Sequence, residues 1–286
     1  SPGALYLEIQ STYGVEAGNS LHANDAGFAG VLERSHQTGR QRFSYTMNGP
    51  VAKHSIPDCI VLAGGVGSRL RGVLPEGVPK ILAPVAGKPF AWWLIQQLYQ
   101  QGVRYVVLAL GYGATRVQES IAAEAWPGDL TIQTVVEESP LGTGGALRCA
   151  LDSTQSDPVL LVNGDTLTDV DLHELVACHV RNHASVTMAL ADVPDASRYG
   201  AVACLANGLV TGFEEKSQKT ALPRLINAGV YCLARRWVAE IPVEKTLSLE
   251  RELLPPMIGQ GFFACRVVHR FIDIGTPLSL REAGEF

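Results

Sequence analysis

The sequence predicts an α/β protein built on a doubly wound, mostly parallel but mixed sheet of the Rossmann-like type. Three observations carry that prediction. From Asp58 onward, short apolar runs of strand length alternate with segments whose apolar residues recur at helical spacing, the pattern of successive β-α units. The first apolar run, Ile60-Val61-Leu62-Ala63, opens into a loop with glycine at 64, 65 and 67. A later run, Val159 to Val162, is followed by Asn163-Gly164-Asp165. Glycine loops and carboxylates at the carboxyl ends of strands are where such sheets gather their ligands.

Residues 1–57 stand apart as an N-terminal extension. They mix Gly, Ser, Asn, Gln and His without helical or strand periodicity and carry no signal-peptide pattern. Met47 is read as the native start, which makes the residues before it non-native or an upstream reading; the competing expectation is an arm that packs on a neighbouring subunit. Residues 58–286 are expected to form one domain. Pro89 to Gln101 places Phe90, Trp93, Leu94 and Leu98 on one helical face, so these aromatics are expected in the core, and Gly102 ends the helix. Tyr105 to Leu110, Thr131 to Val136 and Val159 to Val162 follow as strands. Ala114 to Glu124 and a segment ending at Leu151 are the intervening helices. Asp171 to Asn182 reads as helix and Ser185 to Ala191 as extended chain. In the second half, Asn207-Gly208 between Tyr199 to Leu205 and Leu209 to Glu214 is a hairpin signal. Leu225 to Leu233 and Phe262 to Val268 are strands, Ser248 caps a short helix, and Thr276-Pro277 fits an N-cap followed by a first-turn proline.

The chain of 286 residues, 47% hydrophobic and 18% charged, can bury a substantial core, and no apolar run reaches the ~20 residues that span a bilayer. A formal charge of -5 without any Lys/Arg block argues against nucleic acid as a partner. The six cysteines lack C-x-x-C spacing and mostly sit in apolar segments, so buried reduced thiols in a cytoplasmic protein are expected.

Gly64, Gly65 and Gly67 let backbone N–H groups approach ligand oxygens, and Arg69 and Lys80 set two cations beside them, which suits a triphosphate. A dinucleotide fingerprint would need a third glycine, and no P-loop run is present. Leu62-Ala63-Gly64-Gly65-Val66-Gly67-Ser68-Arg69-Leu70 followed by Pro79-Lys80-Ile81-Leu82 and Gly87-Lys88-Pro89 resembles the signature of the sugar-1-phosphate nucleotidylyltransferases. Ser68 stands where threonine is commoner, and Pro75 to Gly77 lengthen the loop. The resemblance runs from Asp58 to Phe286 and implies that family's fold.

The resemblance also implies the site. Leu62, Ala63, Gly64, Gly65, Gly67, Ser68 and Arg69 would hold the nucleotide, with Gly164 and the second loop, where Glu137, Gly142 and Thr143 of Glu137 to Gly145 match the base-recognition segment. Arg69, Lys80 and Asp165 would be catalytic, and Asp165 with Asp273 would hold Mg²⁺, a hard cation suited to carboxylate oxygens. Tyr199, Gly200, Glu215, Lys216, Asn227 and Gly229 would bind the sugar phosphate. Asp169-Val170-Asp171, a literal D-x-D, reads as a helix start, and His173, His179 and His183 as a solvated helical face.

Pro-Leu-Gly-Thr-Gly-Gly, Asn-Gly-Asp-Thr, Arg-Tyr-Gly, Ile-Asn-Ala-Gly-Val-Tyr, Ser248-Leu249-Glu250 and Phe-Ile-Asp-Ile-Gly-Thr-Pro together are most similar to the D-glycero-D-manno-heptose 1-phosphate guanylyltransferases. The reaction so implied moves GMP from GTP to a sugar 1-phosphate and releases pyrophosphate, supplying GDP-heptose for surface polysaccharide. Mannose or glucose 1-phosphate, N-acetylmuramate 1-phosphate with UTP, and a non-catalytic sugar-nucleotide sensor on the same fold stay open. Members of the family often self-associate, which leaves a homo-oligomer open too.

Overall fold

The computed structural model describes residues 30–37, 40–47, 55–70, 72–193, 201–214, 224–268 and 270–285. Ser1–Lys53 and His54–Phe286 are two separate compact units. In the first, β1 (Gly30–Gln37) and β2 (Arg40–Met47) pair antiparallel, with Leu32 opposite Tyr45 and Arg34 opposite Phe43. This corrects the expectation of no strand signal there. Phe43, Tyr45 and Met47 do alternate with Ser44 and Thr46, a pattern too short to stand out in polar surroundings.

In the second unit β3 (Cys59–Ala63) is followed by tight 3-10 turns at Ser68–Leu70 and Lys80–Leu82, a small hairpin of β4 (Pro84–Val85) and β5 (Lys88–Pro89), and α1 (Phe90–Gln100). Then come β6 (Tyr105–Leu110), α2 (Ala114–Ala122), β7 (Thr131–Val136), α3 (Gly142–Leu151), β8 (Val159–Asn163), β9 (Thr166–Thr168) and α4 (Leu172–Arg181). The chain continues through β10 (Val186–Val193), β11 (Ala201–Cys204), β12 (Val210–Glu214), β13 (Arg224–Leu233) and α5 (Arg235–Ala239). β14 (Phe262–Val268), β15 (Phe271–Asp273) and α6 (Pro277–Glu282) complete it.

The sheet is mixed, as expected. β7, β6, β3 and β8 lie side by side and parallel, and β13 adds antiparallel to β8. β13 is long enough to serve two ladders. Its second half pairs with β8, and its first half meets β11; along the other edge it pairs with β10, which pairs parallel with β14. The register slips between Met188 and Leu190 of β10, where β13 bulges around Gly229 at φ 71°.

Alternate residues of β3 feed opposite cores, which is why its sequence is continuously apolar. Cys59, Val61 and Ala63 pack with Phe90, Leu94 and Ile95 of α1 and Val117 of α2. Ile60 packs with Leu147 of α3 and Val238 of α5. Each fully buried side chain of this size contributes about 1.5–3 kcal/mol.

Side-chain N-caps start α4 and α6 where the sequence indicates. Asp171 accepts from the Glu174 amide and Asp169 from the Arg270 amide, so the D-x-D is structural. Thr276 and Ser279 form a reciprocal capping box. All six cysteines are free, but only Cys59, Cys178 and Cys232 are buried; Cys149 is exposed on the outer side of α3. Among the described residues no helix is long and apolar enough to cross a membrane.

The histidine expectation needs correction at two positions, the first being His183, which lies beyond the C-cap of α4 at φ 46°. His179 is buried, and its Nδ1 lies 3.0 Å from the Thr187 hydroxyl. Burial holds it neutral, lowering its pKa from 6.5 to about 4. The unfolded chain therefore binds the extra proton first as pH falls. Stability contributed by His179 is complete above about pH 6.5 and is lost towards pH 4, on the order of 3 kcal/mol. Urea unfolding at pH 7 and pH 4.5 should show this fall, and His179→Gln should flatten it.

Candidate active site

A cavity of about 620 Å³ opens at the carboxyl ends of β3, β6, β7 and β8. β6 and β7 step away from β3 on one side and β8 lies on the other, so the cavity sits at the topological switch point of the sheet. Leu62 and Ala63, Gly111 and Tyr112, Glu137, and Asn163 to Asp165 reach it from those four strand ends.

The first glycine loop is shaped by Lys80. Gly67 has φ 65°, and a Cβ there would lie 3.0 Å from Lys80 Cβ, so only glycine lets the loop rest on the lysine stem. Leu70 beyond the loop and Ile81 beside Lys80 are buried and anchor both turns. Lys80 Nζ thereby reaches the cavity and donates to Asp165 Oδ2 at 2.6 Å. Asp165 Oδ1 also accepts from the Thr166 hydroxyl at 3.1 Å.

Asp273 arrives on a ladder separate from the main sheet. β15 pairs antiparallel with β9, setting Asp273 opposite Thr166, and the Ile274 amide donates to the Asp165 carbonyl at 2.9 Å. A Cβ added to Gly275 would meet Asp273 Oδ1 at 2.5 Å and Lys80 Nζ at 3.6 Å. Asp273 is not among the residues of the cavity wall, and its Oδ1 accepts from the Gly275 amide at 2.6 Å, but Gly275 brings its carboxylate and the Lys80 ammonium to the same glycine. Two carboxylates suit Mg²⁺, which keeps water and takes phosphate oxygens as further ligands. No group of three or more His, Cys, Asp or Glu able to hold a metal occurs among the described residues, so any ion here would be shared with a ligand rather than caged.

Glu137 and the second loop form the other wall. Glu137 Oε2 accepts from the Leu141 amide at 3.0 Å. The glycines after it answer a different need from the one expected. A Cβ on Gly142 would lie 2.5 Å from the Leu247 carbonyl oxygen, so it permits close packing against residues 245–250 as well as facing the cavity. The Thr143 hydroxyl is not free for a base edge: it donates to Glu250 Oε2 at 2.9 Å and accepts from the Leu249 amide at 2.7 Å.

Of the other expected site residues, Leu62, Ala63, Gly64, Gly65 and Gly164 line the cavity. Ser68 and Arg69 are exposed and stand outside its wall. Asn227 spends its side chain locally, donating to the Tyr231 hydroxyl at 2.6 Å and accepting from the Gly229 amide at 2.9 Å. A Cβ on Gly229 would meet Asn163 Nδ2 at 2.7 Å, which brings the bulge against a cavity residue. Tyr199, Gly200, Glu215 and Lys216 lie outside the described residues. Gly111, Tyr112, Glu138 and Asn163 are wall residues that sequence reasoning missed. Gly111 and Tyr112 directly follow an expected strand, so the strand-end rule was the available signal.

An ammonium paired with a strand-end carboxylate at the switch point, beside a glycine turn, is an arrangement suited to handling phosphates. Residues 58–286 match the model of the nucleotidyl transferase family, and the chain belongs to that family. It is 34% identical over 228 residues to D-glycero-alpha-D-manno-heptose 1-phosphate guanylyltransferase of Aneurinibacillus thermoaerophilus, covering 79% of this chain and 96% of that protein. It is also 34% identical over 232 residues to mannose-1-phosphate guanylyltransferase of Mycobacterium tuberculosis, covering 79% of this chain but only 63% of that longer relative. HddC from Yersinia pseudotuberculosis complexed with GMP-PN superposes with a TM-score of 0.71 at 30% identity, covering 80% of this chain and 98% of that one.

Proposed function

We propose that the chain transfers GMP from GTP to D-glycero-α-D-manno-heptose 1-phosphate, giving GDP-heptose and pyrophosphate. The observation that supports this reading best is the Lys80–Asp165 pair in the cavity, with Asp273 held beside it through Ile274 and Gly275. An oxygen of the sugar phosphate attacks the α-phosphorus of GTP, and the bond from that phosphorus to the oxygen bridging to the β-phosphate breaks. The attacking phosphate is already an anion, so no general base is needed. The obstacle is like-charge repulsion and misalignment.

Lys80 relieves that repulsion by moving from Asp165 to the reacting phosphates, bridging them as they approach. Arg69, on the turn beside the cavity, would fold over the triphosphate and stabilise the departing pyrophosphate. Gly64 and Gly65 bring backbone close to the phosphates without a Cβ in the way. Asp165 and Asp273 would hold Mg²⁺, which supplies positive charge to the phosphate oxygens when bound. Tyr199, Gly200, Glu215, Lys216 and Asn227 are proposed for the sugar phosphate, on the sequence pattern. The fold and reaction suit a cytoplasmic enzyme supplying surface-polysaccharide synthesis.

Mannose 1-phosphate is the second reading, favoured by the equal identity to the mycobacterial mannose-1-phosphate enzyme. Pyrophosphate release with GTP, UTP, CTP, dTTP and ATP against heptose, mannose, glucose and N-acetylmuramate 1-phosphates decides between them. The expected result is release with GTP and heptose 1-phosphate at least ~10-fold faster than with any other pair, the scale set by one well-placed contact. Release with no pair would overturn the catalytic reading.

A further inference from the structure

The cavity has two chemically different ends. Lys80 is the only cation among its described wall residues, so the triphosphate belongs beside it. The turn at Gly142 and Thr143 offers no cation and is left for the uncharged part of a nucleotide, its base. That turn is held from behind. The Gly144 amide donates to the Leu247 carbonyl at 2.8 Å, the Leu247 amide to the Leu141 carbonyl at 2.9 Å, and the Thr246 hydroxyl to the Pro140 carbonyl at 3.0 Å.

Beyond these contacts the chain forms a wide π turn, Leu249–Leu253, capped by Ser248. Such turns are rare and recur at functional sites. This one turns Glu250 inward, half-buried, while Arg251 and Glu252 are exposed. Glu250 is outside the cavity wall, yet its carboxylate takes the Thr143 hydroxyl.

We propose that Glu250 is a positioning residue for base recognition: by accepting the Thr143 hydroxyl it fixes the Gly142-Thr143 wall of the cavity against a purine. A charge-assisted hydrogen bond is stronger than a neutral one, so a carboxylate pins this hydroxyl better than an amide can. With its hydroxyl held by Glu250, Thr143 cannot offer that group to the base, which leaves the polar side chains of the same wall, Glu137, Glu138, Ser139 and Asn163, to distinguish guanine. Glu250 also acts on the neighbouring segment. Burial first, and then the Glu250 charge, push the Tyr231 phenol up, keeping it a neutral partner for Asn227.

The inference rests on the guanylyl-transfer reading, and calorimetry with GTP and ATP separates the two. In Glu250→Ala, the Kd for GTP should rise ~10-fold and the preference for GTP over ATP should shrink, the scale of losing one charged hydrogen bond. Glu250→Gln keeps an acceptor of the same size and should fall between, about 3-fold. Glu252→Gln changes a neighbouring acid that binds the Ser248 amide instead, and should leave both constants unchanged. If Glu250→Ala does not fold, Glu250→Gln carries the test alone. Unchanged GTP affinity and unchanged GTP:ATP ratio in a folded Glu250 variant would overturn the inference. Failure of the parent chain to prefer GTP would overturn the guanine reading itself.

Discussion

Lys80→Ala is expected to lower turnover by ~10²-fold or more at saturating substrates, the usual result of removing one electrostatic contact to developing charge. The fold should survive the change. Ile81 still anchors the turn, and the Asp165 carboxylate left without its lysine is 40% exposed, so water can solvate it. Lys80→Arg should not restore the rate. A guanidinium is planar and larger than an ammonium, and the space in question is bounded by Gly67 on the stem and Gly275 at the tip. Rapid-quench measurement of the first turnover isolates the chemical step, and near-normal rates in Lys80→Ala would remove the lysine from the mechanism.

Asp165→Asn should produce a loss of similar size with a different signature. The amide keeps the shape of the side chain but discards the charge that balances Lys80 and would hold the cation. The Mg²⁺ concentration needed for half-maximal rate should therefore rise in Asp165→Asn and stay near the parent value in Lys80→Ala. Chelation of the parent enzyme with EDTA should abolish turnover, and added Mg²⁺ should restore it. Parent activity that persists in EDTA would dismiss the two-acid metal site.

The inner parallel strands β3, β6 and β8 were legible because they are buried on both faces and therefore appear as apolar runs, while the exposed edge strand β7 showed through its β-branched residues. Thr131–Val136 and Tyr105–Leu110 have the limits the pattern gives. Glycine loops and strand-terminal acids pointed to the cavity for the same reason, since each marks a strand end. Other features depend on long-range pairing that periodicity does not carry. The three-residue strand Thr166–Thr168 exists because Phe271–Asp273 lies beside it. The use of Thr143 by Glu250, 107 positions away, has no local trace. His179 was misread because a helix that packs on a sheet can bury one of its histidines, and spacing alone does not say which.

The double duty of β13 has a consequence for natural variation. On one edge Val230 to Leu233 are tied to β8, which delivers Asn163 and leads into Asp165; on the other, Tyr231 to Leu233 and, past the Gly229 bulge, Arg224 to Asn227 both pair with β10. A chain shortened by one residue between these halves would have to abandon one set of partners, pulling the segment around Asn227 out of step with the acids. Homologous chains should vary freely in length through the outer turns and hardly at all from Asn227 to Val230.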